Sequence, residues 1–491
     1  MIEAVYEAIK QQKDVRKNLS LFRQCLKEET PKVEIQPEVF INLLSDSDAK
    51  VRKNAALALG DIECEEALFS LYHAYEIEEK NFVKSSYLVA MGKLDCKKYL
   101  PDFKRRYENL CAFVPTEEEK KHVNEQIKEL EKIFLKYEGR TKHKFTGYKE
   151  KNSILLTVSK ECRGIVCEQL KREKTQMHPL GVAIETADIT PYLYLRTYRE
   201  LLFLLDCSKK LEGNPDTIGK ELAESNLLEK LEKCHEGAAP FYFRLEIRSS
   251  QPLDKRTVFA KRIAAVLEEK SGRRLINSTS DYEVEIRLLQ SKDGYFFPCV
   301  KLYTIPMRRF LYRKNSIATS IHPATAALMM EIARPYLQEG AQVLDPFCGV
   351  GTMLIERDKF IPAGDMYGTD IFGEAIEKAR ENTALAEKKI AYVNRDFFDF
   401  THEYLFDEII SNMPVKGKKT KEEQSSFYEH FFEKAAKHLK ENGVMVLYSN
   451  EKGFIKRQMR VDKRFHLLKE YLMREKDEYY LFVIRFKGEN A

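Results

Sequence analysis

Four polar side chains, Asp345, Asp370, Asp396 and Asn412, each stand where an apolar run breaks off into a loop. A carboxylate or amide in such a place keeps acceptors to spare, so four at one edge suit the hydroxyls and amines of a single ligand. Before the second of them lies Asp345-Pro-Phe-Cys-Gly-Val-Gly-Thr352, a turn in which Gly349 and Gly351 permit backbone angles and close approaches that a Cβ would block. Met353 to Ile355 then resume helical apolar spacing, leaving the first helical amides open to a ligand.

The elements that must position these residues follow from the runs before them. Gln342 to Leu344, Met366 to Thr369, Ile390 to Arg395 and Phe406 to Ser411 read as strands. A strand, glycine turn and helix followed by another strand predicts a doubly wound parallel sheet, which binds ligands at the carboxyl ends of its strands. Asp370, 25 residues beyond Asp345, is placed to accept from the two hydroxyls of a ribose. No Gly-Lys-Ser/Thr follows the turn, which excludes a phosphate cradle of the NTPase kind. Asp345 and Pro346 beside the first glycine suit a cationic ammonium better than a pyrophosphate, and S-adenosylmethionine has that ammonium.

Asp345 to Thr352, Gly368-Thr-Asp-Ile371, Arg395-Asp396 and Asn412-Met-Pro-Val415 resemble the successive motifs of class I S-adenosylmethionine-dependent methyltransferases. More narrowly, with Arg313 and Ser320-Ile-His-Pro-Ala-Thr-Ala-Ala-Leu328, the chain resembles the THUMP-domain RNA guanine-N2 methyltransferases. The resemblance covers about residues 300 to 487 well and 150 to 300 loosely.

That resemblance implies roles by position. Asp345 and Gly349 hold the methionyl amine and carboxylate, with Ser320 and His322 nearby, and Phe347, Gly351 and Thr352 belong to the same turn. Asp370, followed by Ile371, takes the ribose. Asp396 accepts from the adenine amine, while Phe397 supplies an amide and an apolar wall, ordinary core packing being its alternative. The catalytic loop is Asn412 with Pro414: the Asn412 side chain, itself also against the cofactor, and the Met413 carbonyl accept the two N–H groups of an exocyclic amine. His322 is a structural or cofactor-contacting residue rather than a general base.

Two residues depart from the family pattern. Val415 replaces the aromatic that usually stacks on the target base, and Tyr428 is the expected stand-in. Met413 replaces a first proline common in adenine methylation, which directs the expectation to guanine N2 in tRNA. The alternatives are an rRNA or DNA amino-methyltransferase, or a catalytically weak RNA-binding scaffold with a relic cofactor fold. No long insertion of the kind a DNA target-recognition region needs interrupts residues 343 to 487.

Cys348 reads as filling a small apolar space, because pyrimidine C5 methylation needs a cysteine in the loop that holds Asn412 to Val415 and none is there. None of the ten cysteines forms a Cys-x-x-Cys pair, and Cys162-x4-Cys167 lacks companion ligands, so no metal is expected. Reduced thiols, an acidic N-terminus without a secretory pattern, and no long apolar run predict a cytoplasmic protein without a membrane partner. Net charge is only +5. The local clusters Arg308-Arg309, Arg313-Lys314 and Lys416-Gly-Lys-Lys-Thr-Lys421 are the parts suited to RNA phosphates.

The remaining chain predicts two further regions, giving a multidomain order of 1–140, 150–312 and 313–491. In the first, Val51 to Gly60 aligns with Val83 to Gly92 at a spacing of 32 residues. Apolar stripes of Val39, Phe40, Leu43 and Leu44, then Val51, Ala55, Ala58 and Leu59, flank Ser45 to Asp48, and a further helix is expected from Glu117 to Tyr137. This resembles HEAT-type α-helical repeats, a docking surface for a protein partner or a structural cap. Glu138 to Lys144 reads as a linker. In the second region, strands at Ile154–Val158, Phe241–Arg248, Tyr282–Arg287 and Tyr295–Tyr303, with helices through Leu170 and over Thr257–Leu267, predict an α+β fold. Its order is similar to a ferredoxin-like piece plus a THUMP domain, which implies RNA binding. The third region is the α/β, Rossmann-like methyltransferase.

Overall fold

The computed structural model describes residues 1–28, 34–139, 142–171, 173–207, 211–415, 417 and 420–488. The chain divides into two compact units, Met1–Lys142 and His143–Ala491. The end of the first and the start of the second fall in the expected linker, of which Arg140 and Thr141 lie outside the described residues.

The first unit is helical. The expected hairpin forms as the helices Pro37–Asn42 and Ala49–Asp61, with a 3-10 turn at Leu43–Ser45 between them. Asp48 caps the second of these helices and accepts from the Lys50 amide at 2.7 Å, the acceptor a helix start requires. The repeated glycine has a packing cause. A Cβ on Gly60 would fall 2.6 Å from the Ala90 Cα of the helix Asn81–Lys93, so only glycine permits these two helices to approach this closely. Arg52 ties the hairpin onward through two 2.8 Å bonds to Glu78. The helix Glu117–Glu138 starts at a reciprocal cap of Thr116 and Glu119 and buries Val123, Ile127, Leu130 and Ile133.

The second unit holds two main sheets. The first has eight strands, in the order Thr175–His178, Gly181–Thr186, Asn152–Thr157, Leu201–Leu204, Phe296–Leu302, Val284–Gln290, Phe241–Arg248 and Leu275–Asn277. Phe241–Arg248 falls where its alternation predicted. The strand expected from Tyr282 starts two residues later, because Asp281 adopts a positive φ of 50° and turns the chain there. The hairpin Thr175–His178/Gly181–Thr186 and the strand Leu201–Leu204 had no clear signal. The one is a polar edge strand and the other a four-residue apolar run without alternation.

The second sheet has seven strands, ordered Ala391–Asn394, Met366–Asp370, Val343–Asp345, Phe406–Asn412, Leu439–Ser449, Tyr479–Phe486 and Phe465–Arg474. The first five are parallel, and Tyr479–Phe486 runs antiparallel to both its neighbours, so the expected doubly wound core is present. The helix Thr352–Phe360 after the glycine turn is buried from Thr352 to Asp358. Arg357 on this helix meets Glu408 on the neighbouring strand through bonds of 2.6 and 2.7 Å and also donates to the Gln338 carbonyl at 2.6 Å. The helix start, and with it the turn, is thereby fixed to the sheet. No helix among the described residues is long and apolar enough to cross a membrane.

Candidate functional site

Asp345, Asp370 and Asn412 are the last residues of three adjacent parallel strands, and Asp396 follows the fourth by two residues. Strand direction alone therefore brings all four to one sheet edge. Asp345 is 0% exposed. Its Oδ1 accepts from the Phe347 amide at 3.1 Å and from the Ser411 hydroxyl at 2.8 Å, while Oδ2 has no partner among the described residues. Burial pushes this carboxyl up to about 7, against the pull of the Ser411 and Phe347 bonds and with help from the Asp370 charge.

The glycine turn lies beside it. Gly349 has φ +52° with open space where a Cβ would stand, and its amide donates to Asp370 Oδ2 at 2.9 Å. Gly351 has φ +79°, and a Cβ there would lie 2.2 Å from the Tyr392 hydroxyl, so both backbone angle and space demand glycine. Thr352, the first residue of the helix, buries an Oγ1 that has no partner among the described residues. Cys348 is buried against Gly368, and burial raises its thiol well above the usual range, which fits a space-filling residue and not a nucleophile. The turn thus presents two orphaned buried oxygens, on Asp345 and Thr352, together with a cradle kept open at Gly349. A ligand carrying a cationic amine and a carboxylate fits both.

Asp370 Oδ1 accepts from the Phe372 amide at 3.0 Å, so this carboxylate also orders the loop that follows. Ile371 and Phe372 are 60% and 63% exposed, an apolar shelf next to the expected ribose acceptor. Phe372 was missed in the sequence, although an aromatic directly after Thr-Asp-Ile was its signal. Asp396 is exposed and caps a short turn by accepting from the Phe398 amide at 3.0 Å. The Phe397 ring is buried, 6.0 Å from Phe347 and 5.8 Å from Phe431. It therefore packs in the core, the alternative noted for it, and its amide is the part left for an adenine edge.

Ser320 and His322 lie on the segment that approaches Asn412. Asn412 Nδ2 donates to the Thr319 carbonyl at 3.5 Å, Ser320 Oγ accepts from the Ile317 amide at 2.9 Å, and Arg313 holds the Ile321 carbonyl at 3.1 Å. His322 caps the helix Pro323–Ala333, its Nδ1 accepting from Ala324 at 3.1 Å. Burial and the nearby charges of Arg199, Arg313 and Arg309 push its imidazole down to about 4, so it is neutral near pH 7 and a poor proton acceptor.

The Met413 amide donates to the Tyr448 carbonyl at 3.0 Å, and the Met413 side chain is buried, which fixes the loop after Asn412 to the next strand. Pro414 is half-buried and Val415 is 52% exposed. The expected stand-in for the missing aromatic is corrected here: Tyr428 is 0% exposed, its hydroxyl paired with Ser449 at 2.8 Å, and it cannot stack on a base. Helical spacing places Tyr428 on the face of the helix Lys421–Ala436 that packs on the sheet. Of the basic run after the loop, Lys416, Lys418 and Lys419 lie outside the described residues, and Lys421 opens that helix. Ser411, which orients Asp345, was also missed. A hydroxyl at the penultimate position of an apolar strand was its only signal.

Residues 317–482 match the methyltransferase small domain family. The chain is 25% identical over 158 residues to a tRNA (guanine(10)-N2)-dimethyltransferase of Methanothermobacter thermautotrophicus, covering 32% of this chain and 45% of that protein. It is 29% identical over 146 residues to a release factor glutamine methyltransferase of Aquifex aeolicus, covering 24% of this chain and 49% of that protein. The chain thus spans about half the length of the curated relatives it matches. Among solved structures, TrmN from Thermus thermophilus shares the fold with a TM-score of 0.50 at 20% identity, over 68% of this chain and 99% of that one. SMU.472, solved in complex with SAH, does so with a TM-score of 0.50 at 15% identity, over 70% of this chain and 100% of that one. Residues 317–482 thus form a methyltransferase small domain, whose cofactor is S-adenosylmethionine.

Proposed function

We propose that this chain is a tRNA methyltransferase that modifies the exocyclic N2 of guanine. The observation that carries the reading is the loop after the strand Phe406–Asn412. Asn412 stands at the same sheet edge as Asp345 and Asp370, and its Oδ1 accepts no hydrogen bond from a described residue. An exocyclic amine is a poor nucleophile because its lone pair is delocalised into the base. Asn412 Oδ1 and the Met413 carbonyl accept its two N–H groups, which turns the nitrogen towards tetrahedral geometry and aims the lone pair. Pro414 stiffens that loop. S-adenosylmethionine, when bound, supplies an electrophilic methyl.

In this reading Asp345, Gly349, Gly351 and Thr352 hold the methionyl end, Asp370 and Ile371 the ribose, and Asp396 with the Phe397 amide the adenine. Ser320, His322 and Phe347 shape the surrounding wall. No strong base takes part, because the nitrogen releases its proton to solvent after transfer, and most of the acceleration comes from alignment. This agrees with a His322 held neutral at the helix start.

The relative named for guanine-N2 methylation of tRNA supports the substrate, and the one named for a release factor glutamine makes a side-chain amide the competing acceptor. Residues 313–491 serve as the catalytic domain, residues 150–312 as a THUMP-like, ferredoxin-like region that binds RNA, and residues 1–140 as HEAT-like repeats that dock a protein partner in the cytoplasm. Mass spectrometry of tRNA nucleosides from cells lacking this chain tests the substrate: methylated guanosine is lost. If it persists unchanged, the assignment is wrong.

A further inference from the structure

We infer that the groove along the helix Lys452–Val461 is the track for the RNA strand leaving the catalytic loop, which rests on the RNA reading above. This helix follows the strand Leu439–Ser449, whose Tyr448 pairs with Asn412, so its first turn begins at the same sheet edge as the loop. The groove has a volume of about 1120 Å³. Lys421, the first residue of the helix after the loop, lines it together with Lys452, and Lys456, Arg457, Arg460 and Lys463 continue it. Against these six cations the lining holds two acids, Glu451 and Glu478.

Neighbouring carboxylates cancel only part of this charge. Glu470 takes Lys452 and Lys456, at 2.6 and 2.5 Å. Arg457 donates to the Ser425 hydroxyl at 3.0 Å, and Arg460 to the Lys456 carbonyl at 3.3 Å. Neither arginine, nor Lys421 or Lys463, forms an ion pair among the described residues. Phe454 and Met459, both half-buried, give the groove an apolar floor.

A solvated helix face needs no such concentration, and the chain as a whole is nearly balanced at +5. A base presented to Asn412 remains attached to its phosphodiester strand, which must cross the surface adjoining the loop. This groove is cationic surface that begins at that edge. At about 1.5 Å per residue the helix runs about 15 Å, enough for several consecutive phosphates. Each neutralised phosphate releases counterions and contributes about 0.7 to the salt slope of single-strand binding.

The test is binding of an unmodified tRNA transcript to the full chain at several salt concentrations, for wild type, the pair Arg457→Glu with Arg460→Glu, and the pair Arg457→Lys with Arg460→Lys. The glutamate pair should bind at least tenfold more weakly, with a salt slope shallower by about 1.4 for two lost phosphates. Its S-adenosylmethionine affinity should equal wild type, which also shows that it folds, and the lysine pair should retain RNA binding. Equal RNA affinity of wild type and the glutamate pair overturns the track and leaves the RNA reading standing. A wild-type chain that ignores RNA, whether or not it binds polyaspartate, overturns both.

Discussion

The Ser411 hydroxyl donates to one oxygen of Asp345 at 2.8 Å, and the other, fully buried, has no partner among the described residues. A buried carboxyl in this state prefers its proton, and Asp345 lies near 7 where an unstructured aspartate lies at about 3.9. A cationic amine placed against it reverses that preference.

Cofactor affinity should therefore rise as pH rises towards about 7, with a proton released on binding, while an α-amine itself stays cationic up to about 7.7–8.0. Calorimetry in buffers of different ionisation heat reads both. For the free protein the sign is opposite. The folded pKa is raised, so the stability contributed by neutral Asp345 is full below about 4 and is lost as pH climbs through about 7. Asp345→Asn should flatten both dependences and weaken cofactor binding at least tenfold. An unchanged pH profile in that variant would show that Asp345 does not meet the amine.

Asn412→Ala should abolish methyl transfer and leave cofactor affinity within about twofold, because the amide is assigned to the acceptor base. Equilibrium binding and single-turnover transfer separate the two. Collapse of cofactor affinity would make Asn412 chiefly a cofactor ligand.

Val415 is exposed beside the catalytic loop, where an aromatic would find room. Stacking on a base is worth about 1–3 kcal/mol. Val415→Phe should therefore lower the KM for RNA about fivefold or more, with kcat little changed. A KM that rises or stays level would place the base elsewhere.

The Arg357–Glu408 pair is buried and doubly bonded. Removing one partner leaves an uncompensated charge, so Arg357→Met should cost about 3–5 kcal/mol of stability by denaturant titration. A loss under about 1 kcal/mol would contradict the view that this pair ties the helix to the sheet.

The parallel core was legible because each of its first strands is an apolar run ended by a polar residue, and Asp345, Asp370 and Asn412 are strand ends as read. Gly351 was legible as a turn residue, but not that the Tyr392 hydroxyl fills the space a side chain would need. Tyr428 misled because a tyrosine near a loop in sequence carries no mark of which helix face it occupies. Ser411 and Phe372 carried only slight local signals, and the basic groove none, for a related reason. Their meaning comes from neighbours on other strands and helices, such as Asp345 for Ser411 and Lys421 for Arg457.

The most direct measurement incubates the full chain with methyl-labelled S-adenosylmethionine and unmodified tRNA, then identifies the labelled nucleoside by mass spectrometry. Label should appear in N2-methylguanosine and vanish with Asn412→Ala. Label confined to another nucleoside or to protein, or no label from a chain that binds both S-adenosylmethionine and tRNA, would contradict the assignment.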